Sequence, residues 1–241
     1  MKISVIVPAF NEEKLLPSSL ERIKEAMTAF SQRDWESELI LCDNNSTDRT
    51  AEIARAHGAT VVFEPVNQIS RARNRGASVA AGDWLVFVDA DSWPSRELFG
   101  AVADRIAAGG VVGGGCTIRL DTGGLAVQTG MHIWNVISRL CKWAAGSFVF
   151  CEASEFRAVG GFSEELFASE EIDLSKKLKT HGRKTGRRFV IITNVSLVTS
   201  SRRVSLYSTR EHLRFMARII KAPRSSMSRR EACHVWYDGR R

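Results

Sequence analysis

The chain predicts an α/β protein, a three-layer α/β/α sandwich on a mostly parallel central sheet. Short β-branched or apolar runs alternate with segments of helical period in the order βαβαβαβ through Val88. Each intervening segment is long enough for a crossover, and such crossovers between parallel strands are right-handed almost without exception. With 241 residues, 44% hydrophobic and 25% charged, the chain also holds enough apolar material for one large core.

Ile3 to Val7 is a β-branched run closed by Pro8. Leu16, Leu20, Ile23, Met27 and Phe30 then recur at steps of three and four, the helical period. Asn11 is placed to cap that helix, and Glu12 and Glu13 suit its positive end. Leu39 to Cys42 is a second strand ending in Asp43, after which Ser46 or Thr47 caps a helix through His57 that stops at Gly58. Thr60 to Phe63 is a third strand, Arg71 to Ala81 a helix ended by Gly82, and Trp84 to Val88 a fourth strand.

Pro94 opens a helix through Ala108, and Val111 to Leu120 is a strand whose Gly113, Gly114 and Gly115 permit close approach of backbone or ligand. The second half is less regular. It reads as a strand over Gly146 to Cys151, a short helix over Ser154 to Val159 before Gly160-Gly161, a helix over Ser169 to His181 ended by Gly182, and a final strand over Arg188 to Val198. Thr209 to Ile220 has the pattern of a basic amphipathic helix. Ile133, Trp134, Val136, Ile137, Leu140 and Trp143 make either an apolar platform for a substrate or a helix docked on the core, and core packing is preferred. One domain over residues 1–222 is expected, followed by a basic, loosely held tail over 223–241.

Composition narrows the classes. Cys42, Cys116, Cys141, Cys151 and Cys233 are odd in number, scattered and without Cys-x-x-Cys spacing, which argues against a disulfide framework or a zinc site and fits a reducing cytosol. The opening apolar run is too short for a secretory signal, and no stretch approaches the roughly 20 apolar residues that span a bilayer. A soluble, cytoplasmic protein is expected. The net charge of +7 is concentrated in Lys176 to Arg188 and Arg202 to Arg241, a bias that serves nucleic acid, anionic lipid or a phosphate-bearing substrate equally well.

In a parallel sheet, three strand ends converge on one crevice: Pro8-Ala9-Phe10-Asn11-Glu12, Asp43-Asn44-Asn45-Ser46-Thr47-Asp48, and Asp89-Ala90-Asp91. Carboxylates there are hard donors able to hold a divalent cation against a phosphate. The competing reading makes Asn11 and Asp43 helix caps and turn formers, and Asp89 and Asp91 two solvated acids of a turn. Agreement among separate segments favours the functional reading.

The set resembles the inverting family 2 glycosyltransferases of the GT-A fold. Their signatures are a Val-Pro-x-Tyr/Phe-Asn-Glu opening, an Asp-Asp/Asn-x-Ser-x-Asp-x-Thr segment and an Asp-x-Asp motif. All three stand here in order, with Arg71-Ala-Arg-Asn-Arg-Gly-Ala and a later acidic segment, so that the resemblance spans about residues 2 to 200. It implies a GT-A-like nucleotide-diphospho-sugar transferase fold, with a nucleotide-binding half over 1–92 and an acceptor and catalytic half over 93–222. Pro8, Ala9, Phe10, Asn11, Glu12, Asp43, Asp89 and Ala90 would hold the nucleotide of a sugar donor, Asp43 accepting a hydrogen bond from the base, with Arg71 and Arg73 helping to clamp phosphates. Asp91 would coordinate Mn²⁺ or Mg²⁺, with Asp89 contacting ribose or coordinating through water.

The implied reaction moves a sugar from a nucleoside diphosphate donor to a hydroxyl acceptor with inversion, and needs one base at the acceptor hydroxyl. Glu171, in Glu170-Glu171-Ile172-Asp173-Leu174, stands where the family's catalytic Asp usually lies and is one methylene longer; Asp173 is the reserve candidate. The bland alternative is a capping box, with Ser169 capping a helix whose first turn holds Glu171 and Asp173. Thr199-Ser-Ser-Arg-Arg reads as a basic lid over the diphosphate or a plain surface loop, and Glu152 has no role readable from sequence. Nucleic acid is not an expected partner, whereas the basic helix near the C-terminus leaves room for peripheral contact with an anionic membrane. Rival functions are a catalytically silent nucleotide-sugar-binding module and a nucleotidyltransferase, the latter lacking a Gly-rich, Lys-containing loop after the first strand.

Overall fold

The computed structural model describes residues 1–202, 227–228 and 230–233. The first half runs β1 (Lys2–Ala9), α1 (Leu16–Ser31), β2 (Glu36–Asp43), α2 (Thr50–Ala56), β3 (Thr60–Phe63), α3 (Ile69–Val79) and β4 (Trp84–Val88), the expected alternation. It continues through β5 (Ser92–Trp93), α4 (Arg96–Ala107), β6 (Val111–Leu120), α5 (Leu125–Cys141), β7 (Phe148–Glu152), α6 (Ala153–Ala158), α7 (Glu170–Lys184) and β8 (Arg188–Thr199). The strands form one sheet in the order β3-β2-β1-β4-β7-β6-β8-β5. β3, β2, β1 and β4 are mutually parallel, as are β6 and β8, whereas β7 runs against both its neighbours and β5 against β8.

Alternation along the strands builds two cores. Ile3, Val5 and Val7 of β1 face one side, under Leu16, Leu20, Ile23 and Phe30 of α1 and Leu98, Phe99 and Val102 of α4. Ile6, with Leu85 and Phe87 of β4, faces the other, under Ala77 of α3, Phe156 of α6 and Leu174 and Leu178 of α7. The second layer sits very close: a Cβ on Gly76 of α3 would lie 2.5 Å from Ile6 Cγ2. The glycine run of β6 serves the same purpose, since added Cβ atoms would fall 2.4–2.8 Å from Phe150 O, Val190 O and Ala144 Cβ; neighbouring strands and a loop, not a ligand, account for it.

Register fixes the functional edge. Ala9 pairs with Asp43, so the ends of β1 and β2 are level, and Asp89 directly follows β4 at the same edge. Because β7 is antiparallel to β4, with Val88 opposite Phe148, the turn before β7 arrives here too, and the Asp89 N–H donates to Ser147 O at 3.3 Å. β5, opposite Thr199 and Val198, brings the last turn of β8 alongside, where the Ser200 N–H donates to Asp91 O at 2.9 Å.

Several helix starts differ from expectation for one physical reason: polar side chains near the strand ends bond across loops instead of to their own helices. Asn11 does not cap α1; it takes φ +52°, and its Oδ1 accepts from the Thr47 N–H at 2.8 Å. The N–H groups of Leu15 and Leu16 go to Glu12 O. Ser46 Oγ accepts from the Asn11 N–H, and α2 begins only at Thr50. Gly182 does not end α7, which runs on to Lys184 with Gly182 packed against Val112. Within the stretch expected to be a loose tail, Met227 O accepts from the Phe167 N–H at 2.7 Å and Cys233 is buried; the expected helix at Thr209 to Ile220 lies outside the described residues. Among those residues, no helix is long and apolar enough to cross a membrane.

Candidate functional site

A cavity of about 370 Å³ opens at the sheet edge where the strand ends converge. Asp89, Asp91, Arg73, Glu170 and Glu171 are the charged part of its lining, and Ile69, Ile118, Met131 and Trp134 belong to the apolar part. This placement is the usual ligand position in an open α/β sheet, outside the carboxyl ends of the strands.

Arg73 is the hub of the charged part. Its side chain is 1% exposed; Nη1 donates to Glu170 Oε1 at 2.6 Å, and Nη2 donates to Asp89 Oδ1 at 2.8 Å and to Gly146 O at 2.7 Å. The guanidinium also lies 5.2 Å from the centre of the Phe162 ring. Burial opposes its charge, but the nearby carboxylates of Asp89, Glu170 and Glu171 outweigh that and hold the guanidinium above its ordinary value. Arg73 is thus an internal counter-ion that fixes Asp89: its two Nη groups already serve protein acceptors, while Nε is buried without a hydrogen-bond partner.

Glu170 and Glu171 open α7. Burial pushes the Glu170 carboxyl up, against the pull of Arg73. Burial, reinforced by the Glu170 charge and again opposed by Arg73, pushes Glu171 up to about 8. Ser169 before them takes φ +63° and its side chain makes no capping bond, so the capping-box alternative fails. Ser169 O accepts from the N–H groups of Ile172 and Asp173 instead. Glu171, half-buried in the first turn of α7, borders the cavity.

The first loops lie at the same sheet edge, outside the cavity lining. Pro8, Ala9 and Glu12 are buried, Phe10 and Asn11 partly so, and the Glu12 N–H donates to Thr50 Oγ1 at 2.8 Å. Asp43 is 7% exposed and its Oδ1 accepts from the Ser46 N–H at 3.0 Å, while Asn44 Nδ2 donates to Val66 O at 2.6 Å. Arg202 reaches over from the end of β8: its Nη2 lies 2.7 Å from both Glu12 carboxylate oxygens and 3.8 Å from Asp91 Oδ2. Asn11, Asn45 and Ser169, three non-glycine residues with positive φ, all stand on this rim, the kind of backbone strain that concentrates at functional sites.

Not every expected residue joins the cavity: of the expected nucleotide-binding set, Pro8, Ala9, Phe10, Asn11, Glu12, Asp43 and Ala90 are absent from its lining, and only Arg73 and Asp89 belong to it. Asp173 is absent from its lining and pairs along α7 with Lys177 at 2.8 Å. Arg71 also lies outside it, bound to Glu64 at 3.1 Å and Glu164 at 2.7 Å. Glu152 is at the opposite end of the sheet, paired with Trp84 at the start of β4; Arg187 bridges it to Glu155, and His181 Nε2 lies 3.3 Å from Glu155, a structural cluster. Among the described residues, no three His, Cys, Asp or Glu side chains are grouped to hold a metal ion by themselves. Asp91 and Asp89 offer two carboxylates to one cavity, a donor set that suits a hard cation whose remaining ligands come from a phosphate or water.

Sequence reasoning missed Glu170 as a buried counter-charge and Gly146-Ser147 as part of the floor. A signal for the first existed: Glu170, Leu174 and Leu178 recur at steps of four, and all three are buried. The second was hidden, because only the antiparallel pairing of β7 brings that turn to Asp89.

Comparison with known proteins agrees with this geometry. The model of the family described as Glycosyl transferase family 2 matches residues 4–158. The chain is 43% identical over 96 residues to 4,4'-diaponeurosporenoate glycosyltransferase of Staphylococcus haemolyticus, covering 37% of this chain and 24% of that one. It is 27% identical over 193 residues to glycosyltransferase AglE of Haloferax volcanii, covering 75% and 62%. The mannosyltransferase PcManGT from Pyrobaculum calidifontis, solved with GDP-Man and Mn²⁺, has the same fold, with a TM-score of 0.68 at 22% identity over 96% of this chain and 64% of that one. The match thus spans between a quarter and about two thirds of the length of these proteins.

Proposed function

Because the chain belongs to glycosyl transferase family 2 and is folded as a GT-A-like sandwich, we propose that it transfers a sugar from a nucleoside diphosphate donor to a hydroxyl acceptor in one inverting displacement dependent on Mn²⁺ or Mg²⁺. The observation that carries the reading is the cavity lined together by Asp89 and Asp91, which follow β4, and Glu171 of α7.

The nucleotide lies along Pro8 to Glu12, with Asp43 as acceptor for a base N–H and Ala90 beneath the diphosphate. Asp91, with Asp89, holds the cation. When bound, that ion screens the diphosphate and stabilises its departure. Arg73 keeps Asp89 oriented through the 2.8 Å bond, a task that excludes it from gripping phosphate at the same time. Arg202, next to Asp91 and already matched to a carboxylate, has the planar fork that suits phosphate oxygens.

Glu171 is the base. An oxygen of its carboxylate accepts the acceptor hydroxyl proton as that oxygen attacks the anomeric carbon opposite the leaving group. Its raised proton affinity makes it a stronger base than an exposed glutamate, at the cost of requiring a higher pH to be ionised. Asp173, paired with Lys177 outside the cavity, has no comparable position. Met131 and Trp134 contribute apolar surface to the same cavity.

The test is turnover. Incubating the protein with UDP-, GDP- and TDP-sugars, Mn²⁺ and a panel of hydroxyl acceptors should release nucleoside diphosphate together with glycosylated product. Release of pyrophosphate would make it a nucleotidyltransferase, and tight binding of every donor without product would make it a silent module.

A further inference from the structure

The helix that walls the cavity also carries the largest group of exposed aliphatic side chains among the described residues. In α5, Leu125 is 84%, Ile133 54%, Ile137 38% and Leu140 78% exposed. These positions fall within one third of the helix circumference, with Val136 between them. The opposite side is anchored. Met131 and Trp134 pack on the main core and line the cavity, and Asn135 bonds β6 like an additional strand, its Oδ1 accepting from the Ile118 N–H at 2.9 Å and its Nδ2 donating to Ile118 O at 2.8 Å. The helix is thus apolar on both sides and fixed by one of them.

Charge indicates what covers the other. No Asp or Glu occurs in Leu125–Cys141. Exposed Arg139 and Lys142 border the stripe, and beyond its C-terminal end Lys176 Nζ sits 5.0 Å over the Trp143 ring while Lys179 Nζ donates to Cys141 O at 2.5 Å. The exposed members are leucine and isoleucine, without the Trp or Tyr anchors that dominate protein–protein hot spots. An aliphatic stripe rimmed by cations and free of acids matches a bilayer carrying anionic headgroups.

We infer that α5 seats the protein on an anionic lipid surface through Leu125, Ile133, Ile137 and Leu140, holding the cavity mouth at the headgroup boundary. One helix diameter, about 10–12 Å, then separates lipid from the wall of Met131 and Trp134. Resting on the transferase reading, this makes the acceptor hydroxyl one presented by an amphiphile in that bilayer, its apolar part against Met131 and Trp134.

The test is co-sedimentation of the whole chain with vesicles of phosphatidylcholine alone and of phosphatidylcholine mixed with phosphatidylglycerol. Binding to the mixed vesicles is expected, with at least a tenfold loss in the Ile133→Ser/Leu140→Ser variant. Arg139→Gln/Lys142→Gln should weaken it by about fivefold per charge removed. Both variants should melt with the parent protein, since these side chains are exposed. Absence of binding to either vesicle overturns the inference, as does binding that the Ile133→Ser/Leu140→Ser change leaves intact, or a concentration-dependent dimer that the same change dissolves. Nucleoside diphosphate release, followed in parallel, separates the two readings: vesicle binding that the variants abolish, without any release, supports the seat while removing the transferase.

Discussion

Replacing Arg73 by Met keeps the unbranched stem and removes the guanidinium group with its charge and its donors. The structure sets what is lost: the contacts to Glu170 at 2.6 Å, Asp89 at 2.8 Å and Gly146 O at 2.7 Å, at a side chain 1% exposed. Taking one partner from a buried ion pair costs about 3–5 kcal/mol, because the other charge stays buried and unmatched. For a domain of this size that lowers the melting temperature by roughly 6–20 °C. The loss must also depend on pH. Glu170 and Glu171 already have folded values above the unfolded one, so their contribution to stability is present below the unfolded value and declines as pH rises through the folded value. For Glu171 in the parent protein that window runs from 4.5 to about 8. Without Arg73 both carboxyls bind protons more tightly still, so the variant should approach the parent near pH 5 and fall furthest behind near pH 8, values on the order of that window. Urea denaturation at the two pH values measures it. A loss under about 1 kcal/mol at the higher pH, or an equal loss at both, would refute Arg73 as the buried counter-ion.

Three further outcomes are expected. Asp91→Asn should remove the Mn²⁺-dependent part of nucleotide affinity in calorimetric titration while leaving the fold intact; undiminished affinity would take the metal away from Asp91. Glu171→Gln should retain donor binding and lower transfer by about 10²–10⁴-fold, and in the parent protein kcat/KM should climb with pH until Glu171 ionises near 8, so a profile flat across that region would argue for another base. Gly76→Ala forces a methyl to within 2.5 Å of Ile6 Cγ2 and should cost about 1–3 kcal/mol in denaturant titration, with no cost if α3 is free to move off β1.

The strands were legible because their apolar runs end at chemically marked points, Pro8 at the next-to-last position of β1, Asp43 closing β2 and Asp89 after β4, and a parallel sheet places such points on one edge. The starts of α1 and α2 were not, because Asn11, Ser46 and Thr47 look like caps in sequence but bond one another across 35 or 36 residues. The site divides the same way. Asp89, Asp91 and Glu171, singled out by pattern, line one cavity, whereas the burial of Arg73 depends on Glu170, 97 residues away, and on the turn at Gly146, 73 away. A charge on a helix gives no sign of such a partner. Asp173 and Arg71 show the reverse: each has a local or nearby counter-charge, Lys177 and Glu64, that accounts for it without the cavity.

Whether the strand-end acids form the donor site is decided most directly by a crystal structure of the protein with Mn²⁺ and UDP or GDP. The expected map shows the ion against Asp91, the diphosphate across the β1 and β4 ends, the base at Asp43, and Glu171 facing the sugar position. A nucleotide bound elsewhere, with Asp43 and Asp91 contacting neither it nor the ion, would contradict the proposal.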